Sequence, residues 1–171
     1  MADELIGDVA RPATAVAAAQ NPEGLETLLD QRRVAAKTPQ DEQRLLFALA
    51  SVPDIEVAER TLERCFTEFR TQDAPYLVGA MMMNRVIAEH VWRGLIKRWN
   101  NALDRFPASS HSRMLNGVAM LCTEDWHATE IRAFHEANPL AVGQLSLLQI
   151  LDRRDVHAAF ASRMTDLTSL F

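Results

Sequence analysis

Five histidines, two cysteines and three tryptophans are the residues of this 171-residue chain whose types could do chemistry. His127 and His135 are the only pair of histidines close enough to consider together, with Glu130 and Glu136 beside them. Their eight-residue spacing on a helix is about 12 Å of rise, too far for both to hold one ion. His135-Glu136 opens an HExxH-like string, but Pro139 stands where the second histidine is required. His90, His111 and His157 are isolated and expected at the surface. No Ser-His-Asp or Cys-His arrangement follows from the spacing. No GxGxxG or phosphate loop is written in the sequence. The acidic residues are scattered and form no convincing carboxylate pair. Cys65 and Cys122 fall at apolar helical positions, far apart and without CxxC spacing, which predicts buried free thiols in a reducing compartment. Trp92 and Trp99, seven residues apart on an apolar stripe, read as core packing before they read as a ligand box. Met81–Met83 read as core filler before they read as an adaptable peptide groove.

The composition narrows the function classes further. Hydrophobic residues are 48%, charged residues 24%, and the net charge is -5, so no basic footprint points to nucleic acid. No basic-apolar-small pattern marks a signal peptide, and no apolar run approaches the roughly 18 residues of a membrane span. The expectation is one soluble, cytoplasmic domain, with neither nucleic acid nor membrane as partner.

Alternating strand patterns and Asn-Gly or Asp-Gly hairpin signals are absent, and helical spacing is nearly continuous. Residues 3–19 open with Leu5, Ile6 and Val9, and Pro12 is expected to end or kink that helix. Asn21-Pro22-Glu23-Gly24 is a turn before a helix marked by Leu25, Leu28 and Leu29, with Arg32 and Arg33 facing water. Thr38-Pro39-Gln40-Asp41 and Asp54 are helix starts with a cap, a first-turn proline or an acidic residue at the positive dipole end. Glu59, Arg60, Glu63 and Arg64 read as a solvated face. Between Arg70 and Pro107 the spacing predicts a short apolar helix with Tyr76, Leu77, Ala80 and Met81 inward, a break at Asn84-Arg85, and one long helix. That long helix carries Ile87, Val91, Leu95, Trp99, Ala102 and Phe106 on a single stripe. Ser109 or Ser110 caps a helix holding Met114, Leu115 and Val118, and Thr123 caps another. A last helix, about residues 140–168, is expected to bury Leu145, Leu148, Leu151, Phe160, Met164 and Leu167, with Asp152-Arg153-Arg154-Asp155 as its exposed middle. The starts at Thr38, Thr71/Asp73 and Ser109 are about 35 residues apart, and each opens a helix pair. That period predicts an all-α fold, an α-solenoid of antiparallel helix pairs of the HEAT/armadillo kind.

Several strings occur in a familiar order: TPQDEQRLLFALASVPD, RTQDAPYLV, Asn84, Trp92, Arg98-Trp99-Asn100, Arg105-Phe106-Pro107, RMLNGVAMLCTE and AFHEANPL. They resemble the C-terminal α-helical domain of the zinc aminopeptidase N family. That family includes bacterial aminopeptidase N and the puromycin-sensitive and endoplasmic-reticulum aminopeptidases, and the likeness is greatest to the actinobacterial type. The resemblance covers roughly Gly24 to Leu170, within one helical-repeat domain spanning 1–171 whose residues 1–22 match least. It implies an array of helix pairs forming a bowl or lid over a thermolysin-like catalytic domain. It also implies that zinc belongs to that catalytic domain and not to this chain, where HExxH and its distant glutamate are missing. Gly79-Ala80-Met81-Met82-Met83-Asn84 imitates the family's GAMEN motif without its glutamate. Asp155 to Phe160 occupies the region where relatives often carry an Asn and a Trp.

No catalytic or metal-binding residue is assigned to the chain. The expected role is that of a non-catalytic C-terminal domain, or a stand-alone relative, that walls a peptide chamber and packs on an aminopeptidase catalytic domain. The segment chosen to face a peptide is Arg70, Gln72 and Asp73, where a helix N-terminus and a guanidinium could meet a carboxylate. The blander reading of the same residues is that they tie one repeat to the next. An independent helical-repeat adaptor is the alternative function. A metal hydrolase in its own right predicts bound zinc and peptidase activity, and neither is expected. Truncation of the first helix pairs predicts self-association through an exposed N-terminal face unless the alanine-rich residues 13–19 serve as a makeshift cap.

Overall fold

The computed structural model describes residues 7–20 and 23–168, and every regular element among them is helical. Leu5 and Ile6, the turn residues Asn21 and Pro22, and the side chain of Leu167 lie outside the described residues. The helices are α1 (Gly7–Ala19), α2 (Leu25–Val34), α3 (Pro39–Ala48), α4 (Ile55–Thr67), α5 (Ala74–Met81), α6 (Ala88–Lys97), α7 (Trp99–Arg105), α8 (His111–Met114), α9 (Asp125–Ala137) and α10 (Gln144–Thr168). Short 3-10 turns cover Leu49–Ser51, Ala108–Ser110 and Asn116–Met120. Two starts follow the sequence closely: the Thr38 side chain accepts from the Asp41 N–H, and the Asp54 side chain from the Val57 N–H.

Elsewhere local pattern gives way to tertiary demand. α1 runs through Pro12, and Val9 at its start is exposed. The long helix predicted after Arg85 breaks at Arg98 into α6 and α7. There the Arg98 guanidinium donates to the Gly94 carbonyl, while its own N–H turns to Leu95 three residues back. Arg98 also reaches Glu63 of α4 at 2.8 Å. The helix expected after Ser109 is only the one turn of α8 between two 3-10 turns. Gly117 in that stretch approaches α5 so closely that a Cβ would lie 2.4 Å from the Met82 Cβ and 2.6 Å from the Gly79 carbonyl. The cap of α9 is Glu124, not Thr123, in a reciprocal box with His127.

α10 presents a different face from the one expected. It buries Leu147, Ile150, Leu151 and Arg154, and exposes Leu145, Leu148, Phe160 and Met164. Leucine and isoleucine surround its first turns, so apolar spacing alone cannot choose the inward side. Arg154, expected outside, is held inside by its Nε bond to the Leu121 carbonyl.

Contacts run from α1 to α3, α3 to α5, α5 to α8 and α8 to α10 along one row, and α2, α4 and α6 meet this row from the other side through α2–α3, α4–α5 and α5–α6. Along the second row the charges of α4 form rungs to neighbouring helices. Arg60 meets Glu26 at 2.7 Å, Arg64 meets Asp30 at 2.6 and 2.8 Å, and Arg98 meets Glu63 at 2.8 Å. Glu130 of α9 then receives Arg93 and the Trp92 Nε1 of α6. Asn84 donates to the Ala50 and Val52 carbonyls, and Arg105 to the Cys65 and Phe69 carbonyls. All these contacts join residues 32 to 40 apart in the chain. The Glu59–Arg64 face is therefore a seam between helices as well as a wetted surface. Below it a continuous apolar core includes Leu77, Met81, Met82, Trp92 and Trp99, and both cysteines are buried and unpaired. Near the N-terminus Val9, Val16, Leu28 and Val34 are exposed, and Leu28 lines a hollow of about 730 Å³ between α1, α2 and α3.

Candidate functional site

The turn Arg70–Asp73 leads directly into α5, and its carbonyl at Arg70 accepts the N–H groups of both Asp73 and Ala74. Pro75, the next residue, has no N–H at all. The start of α5 is thus poorer in free donors than its position suggested. Arg70 is exposed, but its guanidinium is tied to Glu42 of α3 at 2.7 Å and does not line a cavity. Asp73 makes no cap bond and accepts instead from the Gln43 side chain at 3.1 Å. Gln72 and Asp73 do share a cleft, of about 500 Å³, with Arg11, Phe47, Tyr76 and Arg113 among its other walls. Of the three residues singled out from sequence, two reach this hollow and the third braces α5 against α3.

Four helices build the cleft. α1 brings Arg11, whose guanidinium lies 5.6 Å from the centre of the Phe47 ring of α3. α5 brings Tyr76, which is 47% exposed where spacing had placed it inward, and the exposed Met83 follows just beyond that helix. α8 brings Arg113, which has no ion pair among the described residues. Its backbone comes close because α5 has glycine opposite: a Cβ on Gly79 would lie 2.5 Å from the Arg113 carbonyl. Two guanidinium groups and one hydrogen-bonded carboxylate leave the cleft with positive character on an apolar, partly aromatic wall. Such a wall suits an extended segment ending in, or carrying, a carboxylate. Arg11 and Arg113 were not legible as a pair. They are 102 residues apart, and only the contacts of α1 and α8 with α3 and α5 bring them to one cleft.

The histidines make a different kind of site. His127 and His135 are both buried on α9, and His111, expected at the surface, is buried with Nε2 donating to the Phe106 carbonyl at 2.9 Å. His157 is half-buried and donates from Nδ1 to the Ala119 carbonyl. His127 Nδ1 accepts from the Glu124 N–H, and its Nε2 has no partner. Neither ring nitrogen of His135 has one. Its ring stands among Trp92, Phe134 and Trp99, at centroid distances of 5.7, 5.3 and 6.3 Å. Burial in this aromatic cage pushes His135 down to about 4, and burial lowers His127 as well. Zinc does not fit here: a cage of indole and phenyl rings supplies no second ligand to His135. Among the described residues no three His, Cys, Asp or Glu side chains converge to hold a metal.

Cys65 is also unsuited to reaction, since burial raises its thiol to about 12. No helix among the described residues is long and apolar enough to cross a membrane.

No curated protein sequence matches the chain. A family profile described as the ERAP1-like C-terminal domain matches residues 4–155, which takes in α1 through the buried part of α10. With helices alone among the described residues, and that match over most of its length, the chain belongs to the ERAP1-like C-terminal domain family.

Proposed function

We propose that this chain is the non-catalytic C-terminal domain of a zinc-dependent aminopeptidase, or a stand-alone relative, that walls a peptide chamber and packs on the catalytic domain. The observation that carries the reading is the cleft at the start of α5, where Arg113 and Arg11 face Gln72, Asp73 and Tyr76. A peptide bound there sets its terminal carboxylate on Arg113 and an apolar side chain against Phe47, Tyr76 and Met83. Asp73 sets a limit on acidic side chains nearby. Arg70 contributes through its brace to Glu42. The rungs at 32 to 40 residues support an α-solenoid of HEAT/armadillo-like helix pairs. Two buried, unpaired thiols fit a reducing compartment such as the cytoplasm.

Fluorescence anisotropy with labelled peptides tests the cleft. Peptides with a free C-terminal carboxylate should bind, and their amidated forms and the Arg113→Ala variant should each bind about tenfold less tightly. Equal binding of acid and amide would remove the carboxylate site. The chamber role is read by combining the chain with an aminopeptidase catalytic domain: Arg113→Ala should alter preference for peptide length. Peptide binding without any effect on that enzyme favours an independent helical-repeat adaptor using the same cleft.

A further inference from the structure

α10 is 25 residues long, and the His157 bond to the Ala119 carbonyl ties its second half to the body. Leu147, Ile150, Leu151 and Arg154 are buried, and no described side chain after Arg154 is. The family match stops at Asp155, so the second half of the helix lies beyond the matched segment as well. Its surface is not that of a solvated helix: Leu145 is 71% exposed, Val156 67% and Phe160 64%. At about 3.6 residues per turn these three fall on one stripe with Leu148, and Asp152 lies at the middle of it. Asp155 takes Arg132 and Arg154. Asp152 and Arg153 are left exposed, without an ion pair among the described residues.

We propose that this face binds a second copy of the chain, α10 lying antiparallel on α10, with the two-fold axis passing between Asp152 and Arg153. The stripe is complementary to its own reverse. In this register Asp152 faces the partner's Arg153 and Arg153 faces the partner's Asp152, giving two ion pairs at the axis. Leu145 faces the partner's Phe160, and Gln149 faces the partner's Val156, on both sides of it. The pairing is isologous and therefore closes at two copies. Each copy's exposed stripe gains cover from the other, including the exposed Val142 just before α10. The seam from Leu145 to Phe160 is only about 22 Å long, so the dimer is a modest one with micromolar dissociation.

Sedimentation equilibrium on the full chain across the micromolar range should show reversible monomer and dimer. Asp152→Arg sets two arginine pairs against each other and should raise the dissociation constant at least about tenfold. The double variant Asp152→Arg/Arg153→Asp exchanges the charges and should restore dimerisation, while Val156→Asp should abolish it. These positions are exposed, and circular dichroism checks that each variant keeps its helix content. A chain that stays monomeric overturns the proposal. So does a dimer indifferent to Asp152→Arg and Val156→Asp, which places self-association on another face such as the N-terminal hollow. Failure of the double exchange to restore pairing overturns the register. A monomeric chain that loses binding to an aminopeptidase catalytic domain on Val156→Asp assigns the stripe to that domain instead.

Discussion

Lowering the pH from 7 to 5 should destabilise this fold by about 2 kcal/mol through His135 alone. The ring is 4% exposed, neither nitrogen is hydrogen-bonded, and burial pushes it down to about 4 from an ordinary 6.5. The unfolded chain takes up a proton as pH falls through 6.5, while the folded chain resists until about 4. Stability is therefore fully present above 6.5 and drains away between 6.5 and 4. At 1.36 kcal/mol per pH unit, the loss between pH 7 and 5 comes to about 2 kcal/mol. His127, lowered in the same direction, adds to it. Arg64 and Arg33 hold the Asp30 carboxyl below 3.8 against the opposing push of burial, and hydrogen bonding from Arg64 holds Glu68 below 4.5, so their losses belong to more acid pH. Urea unfolding followed by tryptophan emission reads the effect directly, because Trp92 and Trp99 flank the ring. The midpoint should fall by ~1 M between pH 7 and 5. His135→Phe should remove most of that slope and keep stability at pH 7, since no hydrogen bond is lost. The reasoning fails if His135→Phe retains the full slope, or if native emission titrates near 6.5.

Two further outcomes follow from packing and charge. Gly117→Ala should lower stability by about 3 kcal/mol, because its Cβ meets the Met82 Cβ and the Gly79 carbonyl, whereas Gly94→Ala meets only the movable Leu62 Cδ2 and should cost less. Thermal melts rank the two, and equal shifts would contradict the distinction between backbone and side-chain crowding. Arg64→Met should cost about 2 kcal/mol by releasing Asp30 and uncovering Phe69, and it should flatten the stability loss of the parent chain below pH 4. Denaturation at two pH values checks both parts.

The helix starts at Thr38 and Asp54 were the most legible part of this fold, because their causes are local, whereas Asp73 and Ser110 make no cap bond and Glu124 takes the place of Thr123. Thr38 and Asp54 cap through bonds to residues three positions on, and any chain with those letters has the same bonds available. Faces were less legible where more than one side of a helix is apolar, as in α10, or where an inward position on paper meets a cleft in space, as with Tyr76. Arg98, at the break, pairs with Glu63, and the buried Arg154 bonds a carbonyl at Leu121. Neither partner is visible from the local pattern. For the candidate site, the turn was legible and its chemistry was not. Gln72 and Asp73 reach the cleft, but its cations come from α1 and α8. His135-Glu136 invited a metal reading, and the aromatic rings that rule it out lie mainly on α6 and α7.

The near-constant offset of the rungs has a kinetic meaning. The rungs from Glu26–Arg60 to His157–Ala119 close stretches of 32 to 40 residues, Arg70–Glu42, Gln43–Asp73 and Arg132–Asp155 close 28, 30 and 23, and none of these ties waits for the two ends of the chain to meet. Loop-closure entropy grows only with the logarithm of length, so each tie is about as hard to form as the next. Contact order stays low for a chain of this size, which favours fast acquisition of structure from whichever neighbouring pair orders first. The same arrangement confines damage. Opening at α1 breaks its own ties and leaves those between α4 and α6 in place, so amide exchange should be slowest around Leu62, Trp92 and Leu95 and should quicken toward both ends.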